Sequence, residues 1–208
     1  MNAFAIFPLR LLAFGVVPLA AALMLPAPAV AQFRDGYSFL KALRDRDFAE
    51  AGKLLRDETS RVINTRDVTS GETGLSIVVQ ARNLEWTRFL LARGANPALA
   101  DRQGNTPLMH SVLRSWTEGG EALLTRGAQV DQSNSRGETA LIMAVQKRDG
   151  AMVRMLVGRK ANPDKADHIA GMSARDYAKR DDRTGTLIAL LDAKPESLKP
   201  LGPVFGPN

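Results

Sequence analysis

Asp101-Arg102-Gln103-Gly104-Asn105-Thr106-Pro107-Leu108 decides the fold of this chain. An Asp-x-x-Gly turn leads into Thr106, a good helix N-cap. Pro107 then falls in the first helical turn, where its missing N–H removes no bond. The stretch returns at a fixed step: Thr73-Gly74-Leu75, Thr106-Pro107-Leu108 and Thr139-Ala140-Leu141 stand 33 residues apart. Arg93-Gly94-Ala95, Arg126-Gly127-Ala128 and Arg159-Lys160-Ala161 keep the same step, as do Leu90-Leu91, Leu123-Leu124 and Leu156-Val157. Three markers in one register mean one supersecondary unit, repeated and stacked.

Within a unit, the pattern predicts a helix over Leu108–Arg114, a break near Ser115–Thr117 and a second helix over Glu118–Thr125. Gly127 is suited to a left-handed C-cap. The flanking units repeat this plan. Gly119-Gly120 replaces the Trp86-Thr87 and Met152-Val153 of the neighbouring units, so the second helix here is the weak point. Trp116 is expected to cover the gap those glycines leave.

These units resemble ankyrin repeats, with Asp101, Gly104, Thr106, Pro107, Leu108, Leu123, Leu124, Gly127 and Ala128 matching in the second unit. Gly94-Ala95-Asn96 and Ala161-Asn162 match in the first and third. The usual His of the Thr-Pro-Leu-His motif is replaced by Ser76, Met109 and Ile142. The resemblance implies an all-α helical solenoid of helix-turn-helix units with projecting β-turn fingers. Three repeats are expected over about 67–100, 101–133 and 134–167. Residues 32–66, with helices Ser38–Asp45 and Phe48–Leu55, read as an N-terminal capping pair. Residues 168–191 read as a C-terminal capping repeat, with one residue inserted near His168–Gly171. End units need a polar outer face, so loss of the motif there is expected. Residues 192–208, with Pro195, Pro200, Pro203 and Pro207, read as a disordered tail.

Residues 1–31 stand outside the repeat. Arg10 precedes an apolar run from Leu11 to Leu25, Pro26 and Pro28 oppose a helix, and Ala29-Val30-Ala31 suits a signal peptidase. A secretory signal cut before Gln32 is expected, and with it a periplasmic location. The alternative is an uncleaved anchor, which would be the chain's one membrane attachment. The chain lacks Cys, so it has neither a disulfide framework nor a thiol site.

The formal charge is +6, but Asp and Glu are interleaved with the basic residues and no run of five like charges occurs, so nucleic acid is not expected as a partner. His110 reads as a partly buried helix residue. His168 with Asp164 and Asp167 is too sparse for a metal site. No phosphate loop or nucleophile elbow is present. The expectation is a protein that is not an enzyme, with neither cofactor nor metal.

The resemblance implies protein binding through the fingers, Ala98–Asn105, Gln132–Glu138 and Lys165–Ala170, and through the first-helix surface. The candidate contacts are Arg102, Gln103, Asn105, Arg136, Glu138, Lys165 and His168, expected to be exposed, with Arg114 and Lys147 at the first-helix ends facing the same side. The partner would be a protein, acidic on balance, and the chain a monomer. Two roles fit: a periplasmic scaffold, or a secreted effector acting on a host protein.

Overall fold

A computed structural model describes residues 27–56, 61–182 and 184–194. Ten α-helices run through them: α1 (Ala27–Arg44), α2 (Phe48–Leu54), α3 (Gly74–Gln80), α4 (Leu84–Ala92), α5 (Pro107–Leu113), α6 (Thr117–Thr125), α7 (Ala140–Gln146), α8 (Gly150–Gly158), α9 (Ala174–Asp181) and α10 (Thr186–Leu191). A 3-10 turn, Arg61–Asn64, precedes α3. Extended pairing among the described residues is confined to isolated bridges, such as Arg66 with Thr73 and Ser133 with Thr139. The fold is the all-α solenoid expected from the repeat.

The caps recur with the period. Thr73, Thr106, Thr139 and Ser173 each accept from the backbone N–H three residues on, opening α3, α5, α7 and α9. Asp47, Asn83 and Asp149 do the same for α2, α4 and α8. Each such cap contributes about 1 kcal/mol. At the equivalent place in the second unit stands Trp116, which cannot cap α6.

First helices α1, α3, α5, α7 and α9 pack each against the next, and α4, α6, α8 and α10 form a parallel second layer. Between the layers lie the residues that carry the repeat: Leu75 and Leu90, Leu108 and Leu123, Leu141 and Leu156 are all buried. Each stabilises the stack by roughly 1.5–3 kcal/mol relative to an exposed side chain. No single unit could bury these faces alone.

Three details differ from or complete the sequence reading. First, α1 begins at Ala27, with Pro28 in its first turn rather than ending it. A first-turn proline is tolerated because the N–H it lacks has no helical partner. The helix therefore starts inside the segment read as a signal, and residues 1–26 of that segment lie outside the described residues. Residues 195–208, most of the expected tail, also lie outside them. Second, Trp116 is 4% exposed and fills the space over Gly119. Third, the left-handed position that closes the second helices holds Gly94 (φ 87) and Gly127 (φ 89), but Lys160 (φ 63) in the third unit. A lysine there is strained where glycine is not.

Candidate protein-interaction surface

Each finger is a short turn nucleated by an acidic or amide side chain. Asp101 Oδ1 accepts from the amides of Gln103 and Asn105 at 2.9 and 2.8 Å. Asn134 Oδ1 accepts from Arg136 and Glu138 at 2.9 and 3.0 Å. Asp67 and Asp167 organise the flanking fingers in the same way. Backbone bonds then join finger to finger: Arg102 N–H to Ser70 O at 2.9 Å, Ser135 N–H to Gln103 O at 3.0 Å, and His168 N–H to Arg136 O at 2.8 Å. The glycines make this stacking possible. A Cβ on Gly104 would lie 2.6 Å from Ser135 N, and one on Gly137 would lie 2.5 Å from His168 N. Four fingers thus form one continuous, backbone-locked edge.

Arg102, Gln103, Arg136 and His168 are exposed along that edge, while Lys165 is half-buried and donates to Asp131 O at 2.7 Å. Asn105 and Glu138 do not conform to the expectation of exposure: each is 7% exposed. They immediately precede the capping threonines, where the chain turns inward. Asn134 Nδ2 bridges them, reaching Asn105 Oδ1 at 3.1 Å and Glu138 Oε2 at 2.9 Å. Arg136 covers the same carboxylate oxygen with Nε at 3.0 Å and a terminal nitrogen at 2.6 Å. The pair therefore joins two fingers rather than presenting groups to solvent.

Arg114 and Lys147 also depart from expectation. They are exposed, but they close α5 and α7 at the end away from the fingers. Seven helical residues separate the two ends by about 10 Å. These cations belong to the turns between first and second helices, and Lys147 Nζ donates to Leu113 O at 3.2 Å.

Sequence reasoning missed a recurrent link between helix and finger. His110 Nε2 lies 3.2 Å from Asp101 Oδ2, though too poorly aligned to count as a hydrogen bond. In the same register slot of α9, Tyr177 Oη donates to Asp167 Oδ2 at 2.6 Å. The third unit holds Met143 opposite the neutral Asn134, and the first holds Ile77, with Asp67 paired instead to Arg44 at 2.9 Å. A polar residue in the slot accompanies an otherwise unpaired Asp in the finger, a correlation visible once the units are aligned.

Burial lowers the His110 pKa below the ordinary histidine value, against the pull of Asp101 and Glu72, so His110 is neutral near pH 7. Burial pushes Asp167 up, but the Tyr177 hydroxyl and the amides of Ala170, Ile169 and Gly171 outweigh it and hold the carboxyl below its usual range. Asp67 is held at about 2 by the amides of Ser70 and Thr69 and by Arg44. Among the described residues, no three His, Asp or Glu side chains converge as a metal site.

A family model for ankyrin repeats in three copies matches residues 75–167. Those residues are ankyrin repeats. An ankyrin repeat-containing protein of Treponema pallidum is 27% identical over 187 residues, covering 71% of this chain. Mouse inversin is 34% identical over 103 residues, 47% of the chain. Human transient receptor potential cation channel subfamily A member 1 is 31% identical over 116 residues, 55% of the chain. The matches span 62% of the length of the Treponema protein and 10% of each of the other two. Ankyrin repeats are protein–protein interaction modules, and the finger edge presents exposed side chains on turns joined by backbone hydrogen bonds.

Proposed function

We propose that the chain is a non-catalytic protein-binding scaffold of the bacterial periplasm, engaging its partner through the finger edge and the adjoining first-helix surface. One observation carries the reading: the 33-residue column Arg102, Ser135 and His168 is exposed on turns whose backbones are hydrogen-bonded to one another. Binding there orders little additional chain, so the contact energy is not offset by loop entropy. Arg102 and Arg136 favour a partner that is acidic where it meets the fingers. The apolar run with its Ala29-Val30-Ala31 site supports export, and the Treponema relative supports a bacterial setting. No helix among the described residues is long and apolar enough to cross a membrane.

The test is photo-crosslinking in cells. A benzophenone side chain at position 103 or 135 should trap the same partner, and one at 88 or 154 on the second helices should not. Trapping only from the second helices would reject the finger reading. Intact mass of the periplasmic form should show loss of the first 31 residues, and a membrane-held species retaining Met1 would reject the location.

A further inference from the structure

The turns between first and second helices form a second edge. Arg46, Arg82, Ser115 and Arg148 occupy it with φ of 60, 54, 47 and 55°. Glycine or asparagine would take this left-handed conformation more easily, yet three of the four are arginine. With Arg114 and Lys147 the three arginines make a row of exposed cations, one or two per unit. Arg46, Arg82 and Arg114 have no side-chain hydrogen bond or ion pair with any described residue. Lys147 and Arg148 donate to main-chain carbonyls, Leu113 O and Asp181 O, each at 3.2 Å. Four acids of the edge are engaged within the fold, although Asp181 also faces Arg148, and Glu85 stays exposed near Arg82. Asp47 and Asp149 cap α2 and α8, Asp45 pairs with Lys41, and Asp181 pairs with Arg180.

At the N-terminal end of the row lies a depression of about 440 Å³, lined by Arg46, Arg82, Phe48, Leu84 and Glu85 among others. The Phe48 ring is stacked on Trp86 with centroids 4.9 Å apart, which fixes that apolar surface. Further along, Leu113 is 45% exposed beside Arg114.

We propose that this edge docks an extended acidic segment of a partner protein, with one apolar side chain seated between Arg46 and Arg82. Neighbouring first helices stand about 8–10 Å apart, and an extended chain in the polyproline II form advances about 3.1 Å per residue with three residues per turn, which brings every third side chain to one face. Carboxylates at every third residue therefore meet successive cations. The row is one cation wide, and the carboxylates of Asp47, Glu85 and Asp149 lie close by. A flat anionic bilayer would meet those acids as well, whereas a single chain can pass between them.

The test uses the purified protein and a fluorescein-labelled peptide with glutamate at every third position and one phenylalanine near its end. A control peptide has the same composition with the glutamates contiguous. Anisotropy titration should give tighter binding of the spaced peptide, weakened by salt. Arg82→Gly with Arg148→Gly removes two guanidinium groups while relieving the left-handed backbone. That variant should lose at least about tenfold in affinity with an unchanged or higher Tm, which separates lost contact from lost fold. Arg102→Glu with Ser135→Glu on the fingers should leave peptide binding intact. Equal binding by the double-glycine variant, equal binding of the control peptide, or no binding at all would overturn the proposal. So would loss in the finger variant, or binding to phosphatidylglycerol vesicles in place of the peptide.

Discussion

Trp116 occupies the space that a side chain at Gly119 would need: a Cβ built there would fall 2.0 Å from Cε3 of the indole. The two glycines of α6 are therefore sites of close packing rather than defects. Helix propensity alone favours Gly119→Ala by roughly 0.8–1 kcal/mol. Overpacking against a rigid, buried ring costs about 1–3 kcal/mol, so the packing term wins. Gly119→Ala should lower stability in urea denaturation. Gly120→Ala should cost less, because its nearest neighbour, Met155 Cε at 2.6 Å, is the tip of a flexible chain. A more stable Gly119→Ala would mean that the indole moves aside freely.

The same exchange of cap for indole sets local stability. Trp116 gives α6 no side-chain cap, whereas Asp149 caps α8 through the Met152 amide at 3.0 Å. Amides of α6 should exchange with solvent faster than those of α8 in native-state hydrogen exchange. Equal protection would show that the buried indole compensates fully.

Lys160 carries the left-handed role that Gly94 and Gly127 carry in the preceding units. Lys160→Gly should raise stability by about 1 kcal/mol, the cost of that conformation for a residue with a Cβ. Gly127→Val should lower it by more than that, since a β-branched residue resists φ of 89° strongly. Thermal melts of the two variants check both signs.

The repeat period, the core leucines, the caps and the left-handed glycines were legible because each is imposed by backbone geometry and recurs at 33 residues. The fate of polar side chains was not. Asn105 and Glu138 look like finger-tip residues, but their burial depends on Asn134 of the following or same finger, a contact across the repeat boundary. Arg114 and Lys147 lie on the edge opposite the fingers because helix direction, not composition, decides which end of a unit they occupy. The His110–Asp101 and Tyr177–Asp167 links needed the register of helix against finger, which pattern matching within one unit does not supply.

Acid should loosen the first finger through Asp67. Asp67, with a folded-state pKa of about 2 against an ordinary value of 3.8, binds its proton less readily folded than unfolded. Its contribution is complete above about pH 4 and is lost as pH falls toward 2. Asp67→Asn keeps the acceptor for the Thr69 and Ser70 amides but removes the charge facing Arg44. The variant should be less stable than the parent at pH 7, and the gap should close between pH 4 and 2. A gap independent of pH would assign the loss to geometry instead of charge.

The central claim is that a partner protein is bound at the finger edge, and the column Arg102, Ser135 and His168 offers the cleanest test. All three are exposed, and the Ser135 and His168 side chains make no hydrogen bond or ion pair with any described residue. The triple change Arg102→Glu, Ser135→Glu and His168→Glu should cut capture of the crosslinked partner by at least about tenfold, or 1.4 kcal/mol, with little change in Tm. The paired change Arg88→Glu and Arg154→Glu on the second helices should leave capture intact. Full capture by the finger variant, with loss in the second-helix variant, would contradict the account.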